Sequence, residues 1–149
     1  MTISEDMVAV RLLIDRYSVA VTYKDEAEIA AVFADDGEWR VDAPFNMHVV
    51  GAKTIAAAIC QSLGGLEFIS QMVHSVVPAI QRDEGRVCSI MHEMARTSDR
   101  SGGMLMLGVY EDVVRRVGGQ WLFKHRRFRP IYLDQNPPTG TAFPQLSRT

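Results

Sequence analysis

The stretch MVHSVVPAIQRDEGRVCSIMHEMAR, residues 72–96, reads as two strands around a polar turn, with one histidine on each strand. Apolar and β-branched residues alternate with polar ones on both sides of RDEG, the pattern of a hairpin with one buried face. In an antiparallel hairpin, directly opposed residues have numbers of constant sum and share a face. His74 and His92 sum to 166, which a three- or five-residue loop produces; a two- or four-residue loop gives 167. The difference matters, because a one-residue slip turns every side chain to the other face. The even sum is favoured. It gathers Val76, Pro78 and Ile80 with Cys88, Ile90 and Met94 on one apolar face beside both histidines, and leaves Ser89 and Glu93 on the more polar one. Pro78 marks a place where a bulge would spoil the count.

Downstream, MLMLGVYEDVVRR and QWLFKHRRFRPIY continue the alternation, separated by TSDRSGG and by VGGQ, a strong hairpin signal. Four strands in an antiparallel meander follow. Upstream the period changes. From Ser4, read as an N-cap, apolar residues recur at Met7, Val10, Ile14, Tyr17 and Val21, and a short second helix opens at Asp25 with the capping-box spacing to Glu28. EWRVDAP is an early strand ended by Pro44, and AKTIAAAICQSLGG is a third helix stopped by glycine. Helices at the front and strands at the back make an α+β domain, a curved sheet covered on one face by helices.

The 149 residues fit one domain, with a tail over 134–149 rich in proline, glycine and polar residues and therefore irregular. A net charge of −2, with 23% charged residues, gives no basic surface for nucleic acid. No apolar run approaches the roughly 20 residues of a membrane span, and MTISED is no signal peptide, so a cytoplasmic protein is expected. Cys60 and Cys88 lie outside any zinc or CxxC spacing and read as buried small hydrophobes. A metal centre is not expected, since no HxH or HExxH supplies a third ligand to the histidines.

Two histidines on the buried face of a sheet, beneath helices, would line a pocket, and an imidazole is the commonest general acid or base near neutral pH. Asp112 and Tyr110 share a parity in GVYEDVV and become candidate pocket residues if that parity faces inward. The run KHRRFR, residues 124–129, reads mainly as a solvated sheet face, with Arg129 kept as a candidate anion contact.

The ending GGQWLFKHRRF is close to a GxWxFxxR pattern, and LLIDRYSVAVTYKDEAEIAAVFADDGEW combines a tyrosine helix, a basic residue before aspartate and a terminal F-x-D-D turn. Together they resemble the SnoaL-like polyketide cyclase and scytalone dehydratase-like superfamily over about residues 5–133. The resemblance implies a cone-shaped, cystatin-like α+β barrel with a pocket between sheet and helices. It also implies proton-transfer chemistry without a cofactor, as in the family's dehydratases, isomerases, cyclases and a dehydrochlorinase. By the same resemblance His74 is the strand histidine acting as acid or base, His92 a second histidine, and Tyr17 the helix tyrosine that polarises a substrate oxygen. Homo-oligomers, dimer or trimer, are implied too. One departure is Thr22, at the place of the family's helical aspartate, where a hydroxyl can hydrogen-bond but cannot serve as a carboxylate base. Asp42 and Asp112 are the substitutes offered.

The expected function is therefore a dehydratase, lyase, isomerase or cyclase acting on an apolar cyclic ketone or hydroxy compound. His74, His92 and Tyr17 would be catalytic. Thr22, Asp42, Tyr110, Asp112, Arg129, Val76, Ile90 and Met94 would contact the substrate. The alternative, favoured by Thr22, is a non-catalytic binding or assembly module.

Overall fold

The computed structural model describes residues 2–148. Helix α1 spans Ile3–Tyr23, α2 Glu26–Ala31 and α3 Ala52–Leu63; the strands are β1 Phe33–Val41, β2 Met47–Val50, β3 Leu66–Gln81, β4 Glu84–Thr97, β5 Gly103–Val117 and β6 Gln120–Asp134. They form one six-stranded sheet in the order β2-β1-β6-β5-β4-β3, antiparallel except where β1 runs parallel to β6. This is the expected α+β arrangement, with β2 an additional strand between Pro44 and α3.

Local chemistry explains the helix ends. The cap of α1 is Thr2, not Ser4: its hydroxyl accepts from the Glu5 backbone N–H and the Glu5 carboxylate accepts from the Thr2 N–H, a complete capping box. Asp25 caps α2 by accepting from the Glu28 N–H, the spacing read from sequence. The buried stripe of α1 includes Val10, Ile14, Tyr17 and Val21 and lies along β3, while α3 covers β1 and β2. The two ends of the sheet's inner face are thus roofed by different helices, and space remains between them. Buried Asp6 fastens the start of α1, accepting from Trp121 Nε1 at 3.0 Å and from Arg116 at 2.9 Å.

The register of the first hairpin departs from expectation. Gln81 pairs with Glu84 across the two-residue turn Arg82–Asp83, where Arg82 has φ 56°, so the sum is 165. Between the pairs Val76–Ser89 and Val73–Met91, two residues of β3, His74 and Ser75, oppose the single Ile90, and beyond that bulge the sum is 164. The bulge lies at the histidine and not at Pro78. The inner face of β4 therefore carries Val87, Ser89, Met91, Glu93 and Ala95, all buried, while Cys88, Ile90 and His92 look outward. On β4 the face chosen for its apolar residues is the outer one, and Cys88 is exposed, whereas Val76, Pro78 and Ile80 of β3 lie on the inner side, paired with Ser89, Val87 and Gly85. The VGGQ turn is as read, with Val117 opposite Gln120 and positive φ at Gly118 and Gly119.

Among the described residues after β6 there is neither helix nor strand, as expected of the tail, but the segment is tied down. Arg96 donates to the Pro138 and Gly140 carbonyls at 2.7 and 2.8 Å, and Gln145 donates to the Thr22 carbonyl at 3.2 Å.

Candidate functional site

A cavity of about 310 Å³, walled mainly by apolar side chains, opens between the helices and the inner face of the sheet. Its walls come from α1, α3 and all six strands, and its polar equipment is sparse: Tyr17 from α1, Gln71 from β3, Glu93 from β4 and Tyr110 from β5 carry the groups of chemical interest. An apolar chamber with a few converging polar groups is the ordinary form of a small-molecule site.

Gln71 and Glu93 are directly opposed on β3 and β4, so their side chains share the inner face. Ser18 of α1 donates to Gln71 Oε1 at 3.2 Å, which turns the amide N–H₂ toward Glu93 Oε2 at 2.7 Å. Burial raises the Glu93 pKa against the opposing effect of the Gln71 donor, moving the carboxyl toward the range where it can both take and return a proton. Tyr17 and Tyr110 meet edge to face, with hydroxyl oxygens 3.5 Å apart. That distance is long for a hydrogen bond between hydroxyls, so both protons remain available to a third oxygen in the cavity. Trp39 also lines the chamber, and its buried Nε1 has no hydrogen-bond partner.

Behind the tyrosines lies a second polar layer. Asp112 and Arg126 are directly opposed on β5 and β6, buried, with Asp112 Oδ2 3.6 Å from an Arg126 nitrogen. Burial lifts the Asp112 pKa to about 7 even against the attraction of Arg126.

These shifts predict how stability depends on pH. Glu93 and Asp112 have folded pKa values above their unfolded ones, so the folded state keeps protons that the unfolded chain has released above about pH 4. Their stabilising contribution is complete below that point and is lost as pH rises through the folded values, near 7 for Asp112. Asp36, Asp42, Glu67 and Asp99 are lowered by side-chain hydrogen bonds, so their contribution is lost as pH falls, down to about 2 for Asp99. Melting temperature is expected to peak in the window around pH 4–5 and to decline toward pH 8. The decline should be shallower in Glu93→Gln, Asp112→Asn protein; equal slopes would contradict the assignment.

The expected site residues divide between the two faces of the sheet. Tyr17 and Tyr110 stand on the cavity wall, with Asp112 behind them. Thr22 does not reach the chamber: its hydroxyl donates to the Ser18 carbonyl and accepts from the Gln71 backbone N–H, both at 3.0 Å, pinning α1 to β3. Val76 faces inward and packs against the core without lining the cavity.

The histidines require correction. His74 and His92 do lie together, with ring centroids 5.8 Å apart and planes 29° from parallel, but on the outer face. The two-residue turn and the bulge reverse the assumed face, and His92 sits opposite Met72. Ile90 is exposed on that face, and Met94 borders an outer depression shared with Phe68 and Pro138 of the tail. Asp42 and Arg129 are also outside, on the rim of an open depression of about 590 Å³. There Asp42 accepts both hydrogen bonds of an Arg127 fork, and Arg129 pairs with Glu111 at 3.1 Å.

Sequence reasoning missed Gln71, Glu93 and Arg126. Reading Arg82–Asp83 as the turn would have brought Glu93 inward. A further bulge beside Val113–Val114 breaks the alternation of β6, so that Phe123 and Arg126, three residues apart, are both buried.

The model of the SnoaL-like domain family matches residues 2–127. Among solved structures, the chain is similar to a candidate scytalone dehydratase from Novosphingobium aromaticivorans, at 22% identity and TM-score 0.78 over 93% of this chain and 95% of that one. It is similar also to a hexachlorocyclohexane dehydrochlorinase of LinA type 3 from Novosphingobium barchaimii, at 18% identity and TM-score 0.78 over 93% and 94% of the two chains. A cystatin-like protein from Nostoc punctiforme aligns at 17% identity and TM-score 0.69, covering 88% and 94%. No curated protein matches the chain in sequence.

Proposed function

The chain belongs to the SnoaL-like domain family, and from that premise we propose that it is a cofactor-independent enzyme moving a proton on an apolar cyclic ketone or hydroxy compound held in the inner cavity. The observation that carries the reading is Glu93, a buried carboxyl of raised pKa facing an apolar chamber that also holds two phenols. In this mechanism the Glu93 carboxylate takes a proton from the carbon next to a carbonyl, and the Tyr17 and Tyr110 hydroxyls donate to the oxygen as it gains charge. Glu93 then returns the proton to a leaving hydroxyl, releasing water, or to a second carbon, giving an isomer. Gln71 holds the carboxyl in place. The apolar walls keep water from competing for the intermediate.

His74 and His92 have no part in these steps, since both project away from the cavity. Their face, with Met72, Ile90 and Leu107 exposed beside them, is where we place the contact of a dimer or trimer. We take the protein to work in the cytoplasm; no helix among the described residues is long and apolar enough to cross a membrane.

A second reading, a binding module without turnover, is favoured by one observation: across the α1–β3 contact stand Thr22 and Gln71, neither of which titrates. Deuterium exchange separates the two. Incubated in D₂O with a panel of cyclic ketones and followed by NMR, the enzyme is expected to exchange the acidic carbon-bound protons of at least one, and Glu93→Gln is expected not to. Ligand-induced shifts without exchange in any panel member would favour the binding module.

A further inference from the structure

Arg126 is 1% exposed, yet none of its three side-chain nitrogens has a hydrogen-bond partner. A guanidinium is buried with profit when its planar fork grips a carboxylate through paired hydrogen bonds. Here Asp112 stands opposite at 3.6 Å, beyond hydrogen-bond length, and both its oxygens are unpartnered as well. What surrounds the cation instead is aromatic. Its central carbon lies 3.7 Å from the ring centroid of Tyr110 and 4.2 Å from those of Tyr17 and Phe123. Two of those three rings belong to the tyrosines that line the cavity.

A cation against the face of a phenol interacts with the ring quadrupole, and the attraction grows as the ring gains electron density. Density rises when the hydroxyl gives up, or shares, its proton. In a dry site this field is little screened. We infer that Arg126 is a positioning residue for the reaction: its charge, held against the rings of Tyr110 and Tyr17, makes their hydroxyls stronger donors toward an anionic oxygen in the cavity, and Asp112 governs how much of that charge they feel.

The inference rests on the proposed role of the two phenols. The charged and titratable groups bearing on Tyr110 are Tyr17 from α1, Glu93 from β4, Asp112 from its own strand β5 and Arg126 from β6. Burial raises the Tyr110 pKa, and Arg126 acts in the opposite direction. Because Asp112 itself titrates near 7, the pair passes from a net cation to a neutral pair as the pH rises through neutrality. The donors would then be strongest on the acid side of that point.

The test is a pH titration of the unliganded full chain carrying ring-fluorinated tyrosines acidic enough to ionise while the protein is folded. Fluorine resonances are assigned with Tyr17→Phe and Tyr110→Phe. Arg126→Met is expected to move the ionisation of Tyr110 up by at least one pH unit, a tenfold change, and Arg126→Lys to restore part of it. Asp112→Asn, which keeps the shape and removes the counter-charge, is expected to move it down. Opposite displacements in the two variants are the signature that a merely structural role would not produce. Where Arg126→Met does not fold, Asp112→Asn carries the test alone. An unchanged or raised Tyr110 midpoint in Asp112→Asn overturns the inference. The titration involves no substrate, so a displaced Tyr110 together with absent deuterium exchange would sink the proposed function, and with it the part of Arg126 in a reaction, while leaving the effect of Arg126 and Asp112 on the Tyr110 hydroxyl established.

Discussion

Replacing Glu93 by glutamine is expected to lower kcat by about 10²–10⁴-fold, the usual contribution of a positioned general acid or base. The amide is nearly isosteric and can still meet Gln71, whose side-chain N–H₂ donates to Glu93 at 2.7 Å. The substrate contacts made by the phenols and the apolar walls are untouched, so KM should change little. Removing a carboxyl whose pKa burial raises also removes a source of instability above neutral pH, so the variant should melt no lower than wild type at pH 8. A fall in kcat without a fall in stability separates chemistry from damage. Unchanged kcat in a folded variant would remove Glu93 from the mechanism.

The largest effect on stability is expected from Phe123→Ala, at about 3–5 kcal/mol. Phe123 is completely buried, with ring centroids 5.4 Å from Phe33 and 5.9 Å from Tyr17, and it also supports the Arg126 guanidinium. Truncation would open a cavity beneath the tyrosine that bears a cavity hydroxyl, and would take one of three aromatic faces from a buried cation. For a chain of this size the loss corresponds to a melting temperature lower by roughly 6–20 °C. Thermal and urea unfolding would show it. A change of only a degree or two would mean that neighbouring side chains refill the space, contrary to the tight packing described.

The elements were legible wherever a single local rule determines them. Asp25 followed by Glu28 predicts a cap, and a cap is present; VGGQ predicts a two-glycine turn, and Gly118 and Gly119 both take positive φ. The family ending WLFKHRRF led to the fold as a whole. What could not be read was which face of the hairpin is buried, because the decisive features are non-local. A bulge at His74–Ser75 adds one residue to β3, and a two-residue turn shifts the count by one more. Hydrophobic patterning pointed the wrong way for a physical reason. Ser89 and Glu93 make the inner face the more polar one, and Ile90, Cys88 and Met94 make the outer face the more apolar one. Pattern rules assume that the interior is there only to be packed, and they fail where it holds a cavity with polar equipment and where the exterior exposes apolar side chains such as Ile90. Tyr17 was found because it lies on a regular helix, where the count is secure. Arg126 was hidden in a basic run that alternates only until the bulge in β6.

Chemistry is expected at the inner face of the sheet and not at the histidine pair outside it. An untargeted mass-spectrometric comparison of cell extract incubated with wild type, with Glu93→Gln and with the double variant His74→Ala, His92→Ala distinguishes the two faces. A metabolite is expected to be consumed by wild type and by the histidine double variant, with a product lighter by one water or isomeric with it, and to be left intact by Glu93→Gln. Consumption by Glu93→Gln together with its loss in the folded histidine double variant would move the chemistry to the outer face.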